Sequence, residues 1–236
     1  LLICDDDQLV GYAELFVNDE AAPAGHHLHL GRLVLKDDTL HDAVLQHLLE
    51  RAVPHGQLSV VVSKYDETSL QRYQRYAFRE VQTVQDMIVS AQGASVGFYK
   101  VSEYPNADSA QIKGWHMPIG RSGSPRQQWE TLWADLWAAV PEIVEQTIHR
   151  LRFSAAGLDA LVCVQKTLYA ARTADVYCWT SKPISGQLVA AIRDWTYKQG
   201  YRTLRLTIDP KLQKLLGNDV EQTPQQHILF VREARP

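Results

Sequence analysis

Apolar and polar positions in the first part of the chain follow two periods, one of two residues and one close to four. Alternation with a period of two predicts β-strands at residues 9–17 and 27–35. The apolar run at residues 58–62 predicts a buried strand, and residues 81–89 form a further predicted strand. Because helical spacing separates the later strands, the order is that of an α/β domain.

Two helices are predicted between these strands. The first begins at Thr39, a residue type that caps helix N-termini, and should end near residues 54–56, which include Pro and Gly. The second helix carries Tyr73. The apolar positions of the first helix recur at helical spacing: Leu40, Val44, Leu48 and Ala52.

A change in composition marks a candidate boundary after the predicted strand at 81–89. Residues 91–95 are small and polar, and residues 99–124 show little periodicity apart from an apolar stretch at 115–119. That stretch is either a strand within a linker or the first strand of a second domain. The expected division of the chain therefore has three parts, with bounds 1–92, 93–124 and 125–236.

The second part of the chain begins with a helix rich in tryptophan. Ser124 is its predicted N-cap and Pro125 its first residue, because Pro is favoured at that position, while Pro141 should kink or split the helix. A stripe of apolar residues at this spacing predicts a packed core face rather than a ligand-stacking surface. The stripe consists of Trp129, Leu132, Trp133, Leu136, Trp137 and Val140.

The remaining pattern repeats the order of elements in the first part. Two strands, a helix that ends at Gly200, a strand, a short helix and a last strand are predicted. In that order, they cover residues 158–166, 167–180, 186–195, 203–208, 210–216 and 227–232. The chain therefore predicts two copies of one α/β architecture without obvious sequence identity between them.

Composition restricts the class of protein. The chain has 236 residues, of which 45% are hydrophobic and 22% charged, as is ordinary for a globular protein. No apolar run approaches the roughly 20 residues that a membrane helix needs. Three cysteines without ligand-like spacing argue against a disulfide framework and favour a reducing compartment, so we expect a cytoplasmic protein.

Charge is distributed unevenly along the chain. Residues 1–92 carry 7 Lys and Arg against 14 Asp and Glu, whereas residues 93–236 carry 17 against 13. Long-range electrostatic attraction should therefore direct a polyanionic ligand, such as a nucleotide cofactor, to the second part. The alternative interpretation is that these are surface charges that bind no ligand.

Residues 69–81 carry the most specific pattern of the chain and read SLQRYQRYAFREV. This segment resembles the late motif of Gcn5-related N-acetyltransferases, S-L-x-x-Y-x-x-x-G-F-x-x-V. The resemblance implies an α/β fold of tandem acetyl-CoA N-acyltransferase-like domains, each a mixed β-sheet flanked by helices, the first truncated before Leu1. It also implies acetyl-CoA as co-substrate, no metal, and Tyr73 as the acid that protonates the departing thiolate. Asp66 stands where the family usually has Asn.

The same family holds the cofactor diphosphate with a loop of pattern R/Q-x-x-G-x-G/A. In the first part, this register falls on residues 36–41, where Thr39 and His41 replace the glycines. Asp37 and Asp38 would lie close to the diphosphate, and like charges in contact repel by about 1 kcal/mol even in water. We therefore expect the first copy not to bind coenzyme A. The alternative interpretation of these acids is a favourable helix start.

In the second part, the loop register falls on residues 180–186. Lys182 is cationic, Ser185 can cap the helix and Gly186 leaves the backbone accessible, so these three are the predicted cofactor-binding residues. Pro183 removes one N–H and departs from the pattern. No Tyr occupies the late motif here, and either Tyr197 or Tyr201 could replace it.

Two further side chains of the first part are candidates for catalysis. Glu14 could supply a carboxylate to the cleft, and His29 could accept a proton there, since histidine titrates near neutral pH. His27 and His29 share one face of a predicted strand, but no carboxylate or Cys at ligand spacing accompanies them, and we predict no metal site.

The resemblance favours an N-acyltransferase that moves an acetyl group from acetyl-CoA to an unidentified amine by direct attack. The acceptor would be a small molecule or a peptide, and neither nucleic acid nor membrane is an expected partner; a homodimer is left open. The alternative is a non-catalytic ligand-binding or assembly module on a degenerate fold. A division of labour between the two copies is a third hypothesis.

Overall fold

The computed structural model describes residues 1–6, 8–94, 99–133, 148–167 and 170–234. Four α-helices are present in these residues: α1 His41–Ala52, α2 Glu67–Arg75, α3 Pro125–Trp133 and α4 Gly186–Lys198. The strands are β1 Leu2–Asp5, β2 Gln8–Asp19, β3 His26–Leu35, β4 Gln57–Ser63, β5 Arg79–Ser90, β6 Lys100–Glu103, β7 His116–Ile119, β8 Ile148–Ala155, β9 Leu158–Lys166, β10 Thr173–Thr180, β11 Thr203–Ile208 and β12 Val220–Glu233.

All these strands belong to one mixed sheet. Its order is β1-β2-β3-β4-β12-β5-β11-β7-β10-β9-β8-β6. Two pairs are parallel, β3 with β4 and β10 with β11, and the other pairs are antiparallel. This confirms the predicted α/β class with a mixed sheet flanked by helices.

The last strand of the chain lies within the first part of the sheet. Strand β12 pairs with β4 on one side and with β5 on the other, both antiparallel. Strand β5 in turn pairs with β11. The predicted division at residue 92 stays a prediction, but backbone hydrogen bonds connect the two sides of that boundary through the centre of the sheet.

The start of the first helix differs from the prediction, which placed Thr39 at the N-cap. The carboxylate of Asp37 instead accepts the Thr39 N–H at 2.9 Å, and a turn of 3-10 helix at Asp38–Leu40 precedes α1. Thr39 cannot cap because it already lies inside this turn. An acidic cap is favourable because the helix N-terminus carries partial positive charge. The predicted burial of Val44, Leu48 and Ala52 is confirmed.

Strands β6 and β8 were not predicted from the sequence, and β10 begins later than predicted. The edge strand β6 has four residues, mostly polar, and gives almost no periodic signal. Strand β8 buries Leu151 and Phe153 at alternate positions. Strand β10 begins at Thr173, six residues after the predicted start at Thr167.

The tryptophan stripe is a core face where the structure describes it. The rings of Trp129 and Trp133 stack at 4.3 Å, and both meet Trp179 of β10 edge to face at 5.5 Å. Ser124 caps α3 as predicted, because its Oγ accepts the Gln127 N–H. Leu136, Trp137, Val140 and Pro141 lie outside the described residues. None of the described helices combines the length and the apolar character needed to cross a membrane.

Candidate functional site

The sheet has two places where parallel neighbours diverge. Strands β3 and β4 pair only through residues 28–30 and 58–60, and β10 and β11 only through 173–175 and 203–205. In open α/β sheets, ligands bind in the crevice at the carboxyl ends of such strands. These two gaps are therefore the candidate sites.

The gap between β3 and β4 opens into a cavity of about 490 Å³, which we call the first-half cleft. It lies between the carboxyl ends of β3 and β4 and the N-terminal turns of α1 and α2. Its volume falls within the range of small-molecule sites. Both charged and apolar side chains line the cleft, among them Leu30, Arg32, Asp38, His41, Val62, Asp66, Arg72 and Tyr73.

Tyr73 of α2 lies in the wall of this cleft and is only 6% exposed. The centroid of its ring lies 5.1 Å from that of the Phe78 ring and 6.4 Å from that of the His41 ring. Burial raises the pKa of its hydroxyl to about 12. Tyr73 keeps its proton at neutral pH, as an ordinary tyrosine does, and the raised pKa makes its hydroxyl a weaker acid. Ala77, where the motif has Gly, has a φ of 57°, the left-handed conformation that explains the family's glycine.

Asp66 positions Tyr73 by starting its helix. The Asp66 carboxylate accepts the Ser69 N–H at 3.0 Å and caps α2. Hydrogen bonding to Ser69 lowers the pKa of Asp66, so the carboxylate is ionised at neutral pH.

His41 is a cleft residue whose importance sequence reasoning missed. The sequence shows His41 only as a replacement for a glycine of the loop pattern. In the structure, its side chain is 8% exposed and contacts the Tyr73 ring. Its buried Nδ1 has no hydrogen-bond partner among the described residues. Burial, assisted by Arg72, lowers the pKa of His41, so the ring is neutral at pH 7. The only sequence signal was its position at the predicted loop.

Three backbone amides of the loop at residues 36–41 form hydrogen bonds within the loop itself. The Thr39 N–H bonds to the Asp37 carboxylate at 2.9 Å, and the Leu40 N–H bonds to the Asp37 carbonyl at 3.2 Å. The His41 N–H bonds to the Asp38 carbonyl. These three amides are therefore already engaged, whereas a helix start that binds phosphate needs amides free for the anion.

An ion pair joins the two sides of the cleft. Arg72 of α2 contacts the Asp38 carboxylate at 2.6 Å. A second pair links the same helices outside the cleft, with Arg75 bound to Asp42 at 3.1 Å. Arg72 thus already has an anionic partner within the protein.

Glu14 lies beside this cleft on the neighbouring strand. It is half-buried on β2 and is the direct register partner of Arg32 on β3, whose side chain lines the cleft. The pKa of Arg32 is raised by its hydrogen bond to Tyr12 and by the charges of Tyr12 and Glu14. Arg32 and Tyr73 thus both line the cleft, whereas Glu14 is not among the lining residues and adjoins it only through Arg32.

His29 has a different environment from the other candidates. It is fully buried, and its Nδ1 lies 2.8 Å from the Ser59 hydroxyl. Gln127 of α3 forms a further hydrogen bond to its ring. Burial lowers the pKa of His29 to about 3, so the ring is neutral. It is not among the residues that line the first-half cleft.

His27 lies near a buried ion pair between Glu20 and Arg121. The Nε2 atom of His27 is 3.6 Å from the Glu20 carboxylate. Across the described ranges, no group of three or more His, Cys, Asp or Glu side chains could hold a metal ion.

The second gap, between β10 and β11, holds a strand of the protein itself. Strand β7 pairs with β10 through Ile119 and Cys178 and with β11 through Ile119 and Ile208. Met117 and Ile119 of β7 are buried. The remaining cavity here, about 160 Å³ and lined in part by Ile184, is smaller than typical small-molecule sites.

The predicted cofactor residues of the second part cluster at the start of α4. The Ser185 hydroxyl accepts the Leu188 N–H at 3.2 Å and caps the helix. Gly186 has open space around the position of a Cβ, and the Lys182 side chain is exposed. An anion in solvent could reach these residues, whereas β7 fills the neighbouring gap between β10 and β11.

Neither alternative tyrosine lies near this helix start. Tyr197 is at the far end of α4, about 18 Å from Ser185 at 1.5 Å per residue. Its ring is covered by the Arg202 guanidinium at 4.5 Å. Tyr201 follows Gly200 and is buried in the core.

Solved structures with the same fold cover almost the whole chain. A GCN5-related N-acetyltransferase from Anabaena variabilis ATCC 29413 is 10% identical with a TM-score of 0.63, and the match covers 99% of this chain and 62% of that chain. Eis1 from Mycobacterium abscessus is 12% identical with a TM-score of 0.61, covering 99% of this chain and 63% of that chain. Our chain therefore spans less than two thirds of each.

At these identities, the likeness establishes the fold alone. It confirms the fold expected from residues 69–81, that of the GCN5-related N-acetyltransferases. No family model matches the sequence, and no curated protein matches it.

Proposed function

We propose that this protein is an N-acyltransferase that moves an acyl group from a thioester to an amine in the first-half cleft. The observation that carries the proposal is a protonated tyrosine, Tyr73, in the wall of an open cleft where parallel strands diverge. A small-molecule or peptide amine is the proposed acceptor. The free cysteines Cys4, Cys163 and Cys178 support a reducing, cytoplasmic setting.

The proposed reaction is direct attack. The neutral amine nitrogen attacks the thioester carbonyl, the new C–N bond forms, and the C–S bond breaks. Tyr73 gives its proton to the departing thiolate, and the nitrogen gives a proton to Glu14, which lies beside the cleft on β2. Exchange with solvent then returns the proton from Glu14 and restores the proton on Tyr73.

Acetyl-CoA is the thioester that the fold implies, but its diphosphate does not fit the loop at residues 36–41. The amides of Thr39, Leu40 and His41 are engaged within the loop, and the Asp37 and Asp38 carboxylates would repel the anion. We therefore assign no diphosphate contact there. Lys182, Ser185 and Gly186 stay a proposed anion site, separate from the cleft.

Binding without transfer is a second candidate function. Two observations favour it. In the loop at residues 36–41, the amides of Thr39, Leu40 and His41 are already hydrogen-bonded, and β7 fills the gap between β10 and β11. In this case, the first-half cleft would hold a ligand while Tyr73 only shapes its wall. The two functions differ in whether thiol is released.

Thiol release separates the two functions. Purified protein is mixed with acyl thioesters, including acetyl-CoA, and a panel of amines, and free thiol and acylated amine are measured. We expect both products with wild type and a rate about 100-fold lower for Tyr73→Phe, since general acids typically contribute at least that much. Tyr76→Phe is the matched control, because Tyr76 follows the same helix but is not a cleft residue, and it should keep the wild-type rate.

Two outcomes would contradict the proposal of catalysis. A Tyr73→Phe rate equal to wild type would remove Tyr73 from the reaction. Ligand binding measured by thermal shift, without thiol release for any amine in the panel, would favour the binding function.

A further inference from the structure

The loop between β3 and α1 is built from acidic residues that act on its own backbone. Asp37 holds the Thr39 amide at 2.9 Å, and this hydrogen bond lowers the pKa of Asp37, which is therefore ionised at neutral pH. The Asp38 carboxylate is held at 2.6 Å by Arg72. Asp38 lines the first-half cleft, and Asp37 precedes it in the loop.

Part of the lining of the same cleft is suited to an uncharged chain. Apolar side chains of the two diverging strands line it: Leu30, Leu33, Val60 and Val62. The buried His41 Nδ1, which has no partner among the described residues, offers a polar contact to a ligand. Amides of a pantetheine-type arm could hydrogen-bond there, whereas a diphosphate at the loop would meet two carboxylates and engaged amides.

We infer that the first-half cleft selects an uncharged thioester arm, such as an acyl-pantetheine, and that Asp37 and Asp38 exclude donors that carry a diphosphate. This inference rests on the proposed function and specifies its donor. It assigns to the two aspartates a role in donor specificity, in addition to starting the helix.

The test compares two donors that share one arm. Binding of S-acetylpantetheine and of acetyl-CoA to the full chain is measured by calorimetry for wild type, Asp37→Gly, Asp38→Asn and the double variant. Gly is chosen at position 37 because it frees the Thr39 amide while remaining an acceptable N-cap. Asp42→Asn is the matched control, because Asp42 pairs with Arg75 on the same helices but outside the cleft.

We expect wild type to bind S-acetylpantetheine at least about tenfold more tightly than acetyl-CoA, because the Asp37 and Asp38 carboxylates would repel the diphosphate of acetyl-CoA. The double variant should lose this preference and gain affinity for inorganic pyrophosphate, while Asp42→Asn should keep it. Circular dichroism of each variant shows that the fold is retained.

Wild-type protein that binds acetyl-CoA as tightly as S-acetylpantetheine would overturn the inference while leaving the proposed function standing. Failure of both donors to bind would overturn both. Preferential binding of S-acetylpantetheine without thiol release would support the inference and contradict only the proposal of catalysis.

Discussion

At the scale of single residues, burial sets the protonation state of the groups that matter. Tyr73 stays protonated because the phenolate would lose solvation in the wall of the cleft, and its pKa rises to about 12. His41 and His29 stay neutral because burial disfavours the imidazolium and lowers the pKa of each. The cleft thus presents a proton donor beside a neutral imidazole.

The buried His29 makes stability depend on pH. The unfolded chain binds a proton at His29 near pH 6.5, whereas the folded state resists it down to about pH 3, so the free energy of unfolding falls as pH drops through this window. One proton gives a slope of about 1.4 kcal/mol per pH unit. The free energy of unfolding is measured with urea between pH 4.5 and 7 for wild type and His29→Asn. Plotted against pH, it should have a shallower slope for the variant. Parallel profiles would contradict the low pKa of His29.

The candidate residues differ in how far the sequence could reveal them. Tyr73 belonged to a motif with fixed spacing, and Glu14 stood next to a Gly-Tyr-Ala segment of a clear strand. His41 was missed because its importance comes from contact with Tyr73, which is on a different helix. Sequence periodicity places residues on their own element and does not give such contacts between elements.

At the scale of elements, local sequence signals predicted most helices and strands but not which strands lie next to each other in the sheet. Strand β4 and helix α4 follow from continuous apolar or helical spacing within the segment itself. The placement of β7 between β10 and β11, and of β12 between β4 and β5, depends on pairing across many residues. The β-strand pattern shows which face is buried but does not identify the partner strand.

The position of β12 predicts that the two parts of the chain unfold together. All six tryptophans lie after residue 92, so tryptophan fluorescence reports the second part, whereas far-ultraviolet circular dichroism reports both. We expect the two signals to give the same denaturation midpoint. Leu229→Pro, which removes a hydrogen-bond donor from a central strand, should lower both midpoints equally. Separate transitions would mean that the shared sheet does not couple the two parts.

At the scale of the whole molecule, the two candidate sites differ in their structural features. The first half has an open cleft with Tyr73, but in its loop the amides of Thr39, Leu40 and His41 are engaged. The second half has an exposed helix start at Ser185 and Gly186, but β7 fills the gap beside it. A fold shared with known acetyltransferases therefore does not by itself give a complete coenzyme A site in either half.

The central claim is that the ligand binds in the first-half cleft, and hydrogen–deuterium exchange with S-acetylpantetheine tests it most directly. Binding should slow exchange in peptides that cover residues 30–41 and 60–73, because these segments line the cleft. Peptides that cover 181–192 should exchange at an unchanged rate. Protection confined to 181–192, or no protection in either region at saturating ligand, would contradict the account.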